Sequence, residues 1–409
     1  MVENLSRVAT LLFAVAILLI GHGLQLTLLP VHALASGWSG SQIAITGSFY
    51  FCGFVTGCVL VPGVVARVGH IRSFMVMAAA ATVALLAAAL FVSVLGWIVI
   101  RFATGMALAG LYMIVESWLA DVTPSDRRGT VLSVYLAVSL IGMAVGQVPM
   151  MFTVPGDFRL FLLAGILLSL AIIPIGLTRI SSPNPIPQVR VTPRMLLRAS
   201  RVAVVGALLA GMVTGTFWTL APVVGRELGL GSGHVGLMMS LGVLGGAASQ
   251  FPIGRLSDRM DRRFVIAAVT ACGAAIGVAG GLLVESSTLM LLGGIFCLCA
   301  ASMPIYALCI ALAAEKPGLS LLEITGGILL THGIGSILGP LVAGPAMSAI
   351  GATFFFWFCA ICLGLASFWT LYRYFFVERE IAAEIHRPML PRTTQAVAQL
   401  LGGDRARHS

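Results

Sequence analysis

Long apolar runs in this chain carry the same punctuation twice. Pro30, Gln42 and Arg67 recur as Pro222, His234 and Arg259, each 192 residues further on. Tyr112 and Asp121 recur as Tyr306 and Glu315 at a spacing of 194, and Gly142 and Gly146 as Gly335 and Gly339 at a spacing of 193. A spacing that drifts by two residues implies one bundle copied whole, because unrelated segments would not keep their turns in register. About twelve runs reach the ~20 apolar residues that a bilayer crossing requires. They lie near residues 8–30, 41–65, 74–94, 97–120, 130–152, 159–178, 203–224, 234–256, 264–284, 289–313, 325–347 and 353–376. None shows the strict two-residue alternation of a membrane barrel, so each reads as a helix.

Basic residues orient these helices. With the N-terminus inside, 21 of the 24 Lys and Arg residues fall on cytoplasmic segments. Arg159 and Arg226 fall outside, and Arg101 stays within the membrane. That asymmetry follows the positive-inside rule and supports an even number of spans with both termini inside. The expected fold is an all-α membrane protein of twelve transmembrane helices in two six-helix bundles, 1–178 and 203–376, with both termini cytoplasmic. A cytoplasmic linker, 179–202, carries four prolines and five arginines, and a cytoplasmic tail follows at 377–409. The net charge of +9 then faces anionic inner-leaflet lipids and needs no nucleic-acid partner. Because 59% of residues are hydrophobic and 10% charged, soluble classes are excluded. The eight cysteines all fall in apolar helices, and even the Cys359-x-x-Cys362 pair reads as packing rather than redox or metal chemistry.

Parallel repeats of hydrophobic segments imply a carrier whose halves rock about a central site. Between spans eight and nine stands Gly254-Arg255-Leu256-Ser257-Asp258-Arg259-Met260-Asp261-Arg262-Arg263. This resembles the G-x-x-x-D-R-x-G-R-R loop of the major facilitator superfamily, with Asp261 in place of the second glycine. The first-half copy keeps Arg67, Gly69 and Arg72 but has Ala66 where the aspartate belongs. Arg101-Phe102-Ala103-Thr104-Gly105 is similar to the helix-four R-x-x-x-G element of the same superfamily. Three further stretches, 69–72, 110–119 and 304–310, resemble its YcaD-like bacterial branch. The resemblance implies that helices one, four, seven and ten line a cavity. It also implies a loop lock in which Asp258 caps span eleven and Arg259 or Arg262 reaches Glu315. Arg67, Arg72 and Asp121 would be the first-half equivalents; the alternative is that these charges only set topology.

Two charges lie well inside predicted spans, and both are on span four. Arg101 and Glu116 are 15 residues apart, ~22 Å along a helix axis, too far to pair. Arg101, Gly105, Leu108, Tyr112 and Glu116 form one stripe; its copy on span ten keeps Tyr306 and loses both charges. Glu116 reads either as a protonation site that couples protons to rocking or as a member of a cytoplasmic charge network around Arg67. Arg101 reads as an outer-half cavity charge or as a side chain snorkelling to the interface. His22, Gln25, Trp218 and His332 are the other pathway candidates. Gly142-x-x-x-Gly146 and Gly335-x-x-x-Gly339 are close-packing motifs. The first resembles the helix-five motif of drug–proton antiporters, with Gln147 where that motif has proline.

No Walker loop, zincin pair or nucleophile elbow appears, so no enzyme activity, metal or cofactor is expected and a proton gradient supplies the energy. The expected function is proton-coupled export of a small amphipathic solute across the bacterial inner membrane by a monomer. Uptake by symport is the alternative in direction. A facilitator, or a lipid-handling or sensory protein on this fold, is the alternative in class.

Overall fold

The computed structural model describes residues 2–123, 128–152, 157–177, 200–315 and 320–377. Among them there is no strand, and twelve helices are long and apolar enough to cross a membrane. In chain order, spans one to six are Val8–Ala35, Gly40–Val68, His70–Leu90, Val94–Leu119, Thr130–Phe152 and Phe158–Gly176. Spans seven to twelve are Arg201–Glu227, Ser232–Arg259, Arg262–Ser286, Thr288–Ala313, Glu323–Ile350 and Phe354–Phe376. Nearly all of the expected linker and tail lies outside the described residues.

Local chemistry sets where these helices begin. Ser39 accepts from the Gln42 amide at 3.3 Å while Gln42 Oε1 accepts from the Ser39 amide at 2.9 Å, a reciprocal cap for span two. Ser320 and Glu323 cap span eleven in the same way. Ser93 and its repeat Ser287 cap spans four and ten, and Asp261 caps span nine. Proline decides the breaks. Span ten is divided into Thr288–Ser302 and Ile305–Ala313, because Pro304 has no N–H to return to the carbonyl four residues back. Its counterpart in span four is Gly110, and that helix is unbroken from Val94 to Val122. Span six divides at Ala171, ahead of Pro174, for the same reason.

The duplicated sequence is also a duplicated packing scheme. Span one packs on five and six, and seven on eleven and twelve; two packs on four, and eight on ten; three packs on four and six, and nine on ten and twelve. The close approaches match residue by residue. A methyl group on Gly53 would collide with the Phe102 carbonyl, and one on Gly245 with that of Phe296. Gly23 and Gly215 stand likewise against Met143 and Ser336. Each pair is related by the spacing of the repeat, so the missing side chains are part of the copied architecture. Large apolar side chains such as Val83, Leu95, Leu282 and Phe368 point outward and are exposed, as lipid-facing residues are.

Two seams join the halves, span two on eleven and span five on eight, with spans one and seven crossing between them. The seams share one hydrogen bond in duplicate. Ser48 Oγ donates to the Ile337 carbonyl at 2.8 Å, and Ser240 Oγ donates to the Ala144 carbonyl at 2.9 Å. Ser48 and Ser240 are 192 residues apart, Ala144 and Ile337 are 193. Further toward the ends remote from the basic loops, Ser41 Oγ lies 3.3 Å from Ser348 Oγ, and Gly233 and Gly236 abut Met151 and Gln147. The end of the bundle opposite residues 67–72 and 254–263 is therefore zipped shut.

Candidate functional site

Below those seams the halves enclose a cavity of about 210 Å³. Spans one, four, seven and ten contribute His22, Tyr112, Trp218 and Tyr306 to its wall; spans two, five, eight and eleven add Tyr50, Tyr135, Gln250 and His332. The four expected helices do line the cavity, but not alone. The seam helices line the cavity too, because they touch only along part of their length.

Ring packing organises the first-half wall. The Arg101 guanidinium carbon stands 4.5 Å from the Tyr50 ring centroid, a cation over a π-face. Tyr50 Oη and His22 Nε2 are 3.3 Å apart, and His22 meets Tyr112 edge-on with centroids 6.3 Å apart. Gly105 permits the arrangement: a side chain there would strike the Tyr50 carbonyl. Arg101 is 4% exposed, so it does not snorkel, and it sits behind Tyr50 rather than on the cavity wall. Gln25 is fully buried and also off the wall. Glu116 is 4% exposed, lines the cavity, and accepts from Tyr135 Oη at 3.1 Å.

The second half repeats this chemistry through a different helix. His332 meets Tyr306 edge-on with centroids 5.0 Å apart. Tyr306 is the copy of Tyr112, but the repeat partner of His22 is Thr214 and that of His332 is Ser139. All four of those positions line the cavity. Each half therefore sets one histidine against its copied tyrosine, from span one in the first and span eleven in the second.

At the basic end Arg262 is the hub. It is 3% exposed, its Nε lies 2.6 Å from Glu315 Oε1, and its Nη2 lies 3.2 Å from Asp258 Oδ1. Arg259 is exposed. Asp258 is thus held by Arg262, whereas Ser320 caps span eleven. The first half differs from the expectation. Arg67, Arg72 and Asp121 are exposed and form no ion pair among the described residues. Ala66 occupies the repeat position of Asp258 and His70 that of Arg262. His70 is 1% exposed, with Nε2 3.2 Å from Ser117 Oγ, so a neutral hydrogen bond stands where the second half has ions.

Burial pushes the Glu315 carboxyl above the ordinary value of 4.5, and the Arg262 charge pulls it back. Ionising a carboxyl with a raised pKa costs stability as pH climbs through that raised value. Arg262→Ala removes the opposing charge and leaves two carboxylates facing one another. The expected loss is about 2–3 kcal/mol at neutral pH, shrinking as pH falls toward 4.5, whereas Arg72→Ala changes stability by less than about 0.5 kcal/mol. Thermal unfolding of the two variants across pH 4.5–8 measures the difference.

Tyr50, Tyr135 and His70 belong to the candidate site and its surroundings, and the sequence pattern does not single them out. A signal for two of them exists: the chain has six tyrosines, and four of them, Tyr50, Tyr112, Tyr135 and Tyr306, line this one cavity. His70 sits in a stretch notable only for its family resemblance.

Comparison with known proteins agrees with this architecture. The family profile described as Major Facilitator Superfamily matches residues 11–202 and again 203–401. An uncharacterized MFS-type transporter of Enterobacter sp. (strain 638) is 29% identical over 324 residues, covering 77% of this chain and 82% of its own. The uncharacterized MFS-type transporter YcaD of Escherichia coli (strain K12 / DH10B) is 28% identical over 319 residues, with the same coverage. Among solved structures, the nucleoside transporter NupG superposes with a TM-score of 0.73 at 13% identity, covering 90% of this chain and 99% of that one. The D-xylose-proton symporter gives 0.65 at 16% identity, covering 91% and 98%. These similarities to solved structures describe the fold.

Proposed function

The chain belongs to the Major Facilitator Superfamily, and we propose that it is a proton-coupled secondary transporter that exports a small amphipathic solute by alternating access. The observation that carries this reading is the cavity between the duplicated halves, with one buried carboxyl, Glu116, in a wall that is mostly aromatic and aliphatic. A carboxyl inside a membrane is expensive and stays where protons or ions move. With the basic loops placed in the cytoplasm by the positive-inside rule, the zipped seams face outward. The form described is then inward-facing, in the inner membrane of a bacterium, with both termini cytoplasmic. The bundles 1–178 and 203–376 rock as units, a single copy suffices, and the proton gradient replaces any cofactor.

Direction follows from which gradient the solute opposes. A carrier that moved proton and solute together in one step would instead be a symporter, the name borne by the D-xylose-proton symporter among the structural neighbours. A thermal-shift screen of metabolites and amphipathic drugs on purified protein supplies ligands. Their flux is then followed in proteoliposomes under an imposed pH gradient. The expected result is movement of solute against its own gradient, opposite to the proton flow and abolished by a protonophore. Movement in the same direction as protons would make the protein a symporter. Equilibration without accumulation would make it a facilitator, and ligand binding without flux a receptor.

A further inference from the structure

We propose that Arg101, Gln25 and His22 form a subsite for the carboxylate head group of an amphipathic organic anion, at the zipped end of the cavity. The inference deepens the transporter reading, since the anion is the cargo.

The observation is a set of buried polar groups without partners. Arg101 is 4% exposed and its Nη1 has no hydrogen-bond partner. No acidic side chain pairs with it among the described residues, and Glu116 is ~22 Å away along the same helix. A buried guanidinium without a counter-ion is costly, and stacking on Tyr50 at 4.5 Å offsets only part of that cost. Gln25 is 0% exposed and neither its Nε2 nor its Oε1 has a partner. It lies three residues along span one from His22, on a neighbouring position of the same face. His22 is 2% exposed, and its Nδ1 is likewise without a partner while Nε2 engages Tyr50. An arginine fork, an amide N–H₂ and an imidazole are the donor set that a carboxylate accepts from.

Geometry gives the entry route. The Tyr50 ring separates Arg101 from the cavity, with Arg101 on it at 4.5 Å and the His22 ring nearly parallel to it at 6.1 Å. The Tyr50 backbone is pinned against Gly105, so the ring alone can swing, and its swing uncovers Nη1 to a group arriving beside His22. The apolar body of such a ligand then lies against Phe51, Phe54 and Trp218. Tyr50 is two residues from Ser48, whose hydroxyl bonds across the seam to Ile337. Occupancy of the subsite therefore acts on the element that holds the outer end closed. An organic cation would be repelled here and would instead seek Glu116.

The test uses the purified full-length protein and three probes of one shape: 2-naphthoate, 2-naphthamide and 2-naphthylmethylamine, with sodium chloride as the ionic control. Binding is read by thermal shift and by titration calorimetry. Naphthoate is expected to bind at least about tenfold more tightly than the amide, the worth of one charge-assisted hydrogen bond. Arg101→Gln should erase that preference while still unfolding cooperatively. Gln25→Leu, which removes no charge, should weaken naphthoate severalfold and covers the case in which Arg101→Gln does not fold. Preference for the amine, equal binding of acid and amide, no binding of any probe, or unchanged naphthoate affinity in both variants overturns the subsite. Naphthoate binding without gradient-driven flux would retire the pumping reading and leave the subsite standing. Gradient-driven flux of the amine alone would do the reverse.

Discussion

Glu116→Gln abolishes proton-driven accumulation in proteoliposomes and leaves counterflow exchange running; that is the result expected if this carboxyl is the coupling group. Exchange needs the halves to rock with solute on board, but it needs no net proton transfer. Accumulation needs a group that takes a proton on one side and gives it up on the other. Glu116 suits that role by position, since it is buried at 4% exposure, lines the cavity, and receives a hydrogen bond from Tyr135. Glutamine keeps the volume and can still accept from Tyr135, so the fold loses little. Tyr135→Phe removes the donor alone and should slow coupled flux by about tenfold or more without uncoupling it, since one hydrogen bond to a charged group is worth about 1.5–3 kcal/mol. Measuring both transport modes side by side decides the matter. Parallel loss of exchange and accumulation in Glu116→Gln would mean that the carboxyl supports the structure instead.

The fold is legible in the sequence to an unusual degree because the sequence states it twice. Apolar length marks the twelve spans, and the offset of 192 to 194 residues carries over to the matched approaches of Gly53 to Phe102 and Gly245 to Phe296. The breaks in spans six and ten do not show in the apolar pattern, although Pro174 and Pro304 mark them; hydropathy sees an apolar run and is blind to one missing N–H. The site is less legible. Arg101, Tyr112 and Glu116 stand out because charge and phenol are conspicuous in a membrane helix. Tyr50 escapes because it stands among Phe49, Phe51 and Phe54, where an extra hydroxyl looks like one more lipid-facing ring. Its role comes from what lies on either side of it, Arg101 and His22, and those arrive from two other helices. The ion-pair cluster around Arg262 is readable from its loop, but its first-half counterpart is not. There the repeat kept the position and changed the chemistry, so that His70 and Ser117 replace an ion pair.

Cross-linking the outer seam should stop transport altogether. Ser41 Oγ and Ser348 Oγ are 3.3 Å apart, so cysteines at these positions bring their sulfurs close enough for an oxidant to test as a disulfide. The substitutions are made with Cys272 and Cys297, two exposed native cysteines, changed to alanine. Oxidation is expected to reduce exchange and accumulation to background, and reduction to restore both, because a carrier held shut at one end completes no cycle. Full activity in the oxidised, cross-linked protein would show that this end need not open. The duplicated serines allow a graded version of the same test. Ser48 and Ser240 each donate one hydrogen bond across a seam, and each bond is worth ~1 kcal/mol net. Ser48→Ala with Ser240→Ala should then weaken closure by ~2 kcal/mol, an approximately 30-fold shift of the conformational equilibrium away from the closed outer end. Labelling of a cysteine at position 41 by a membrane-impermeant maleimide reads that shift directly. The single variants should each contribute about half of it in free energy, because the two bonds are the same contact made once in each copy of the repeat.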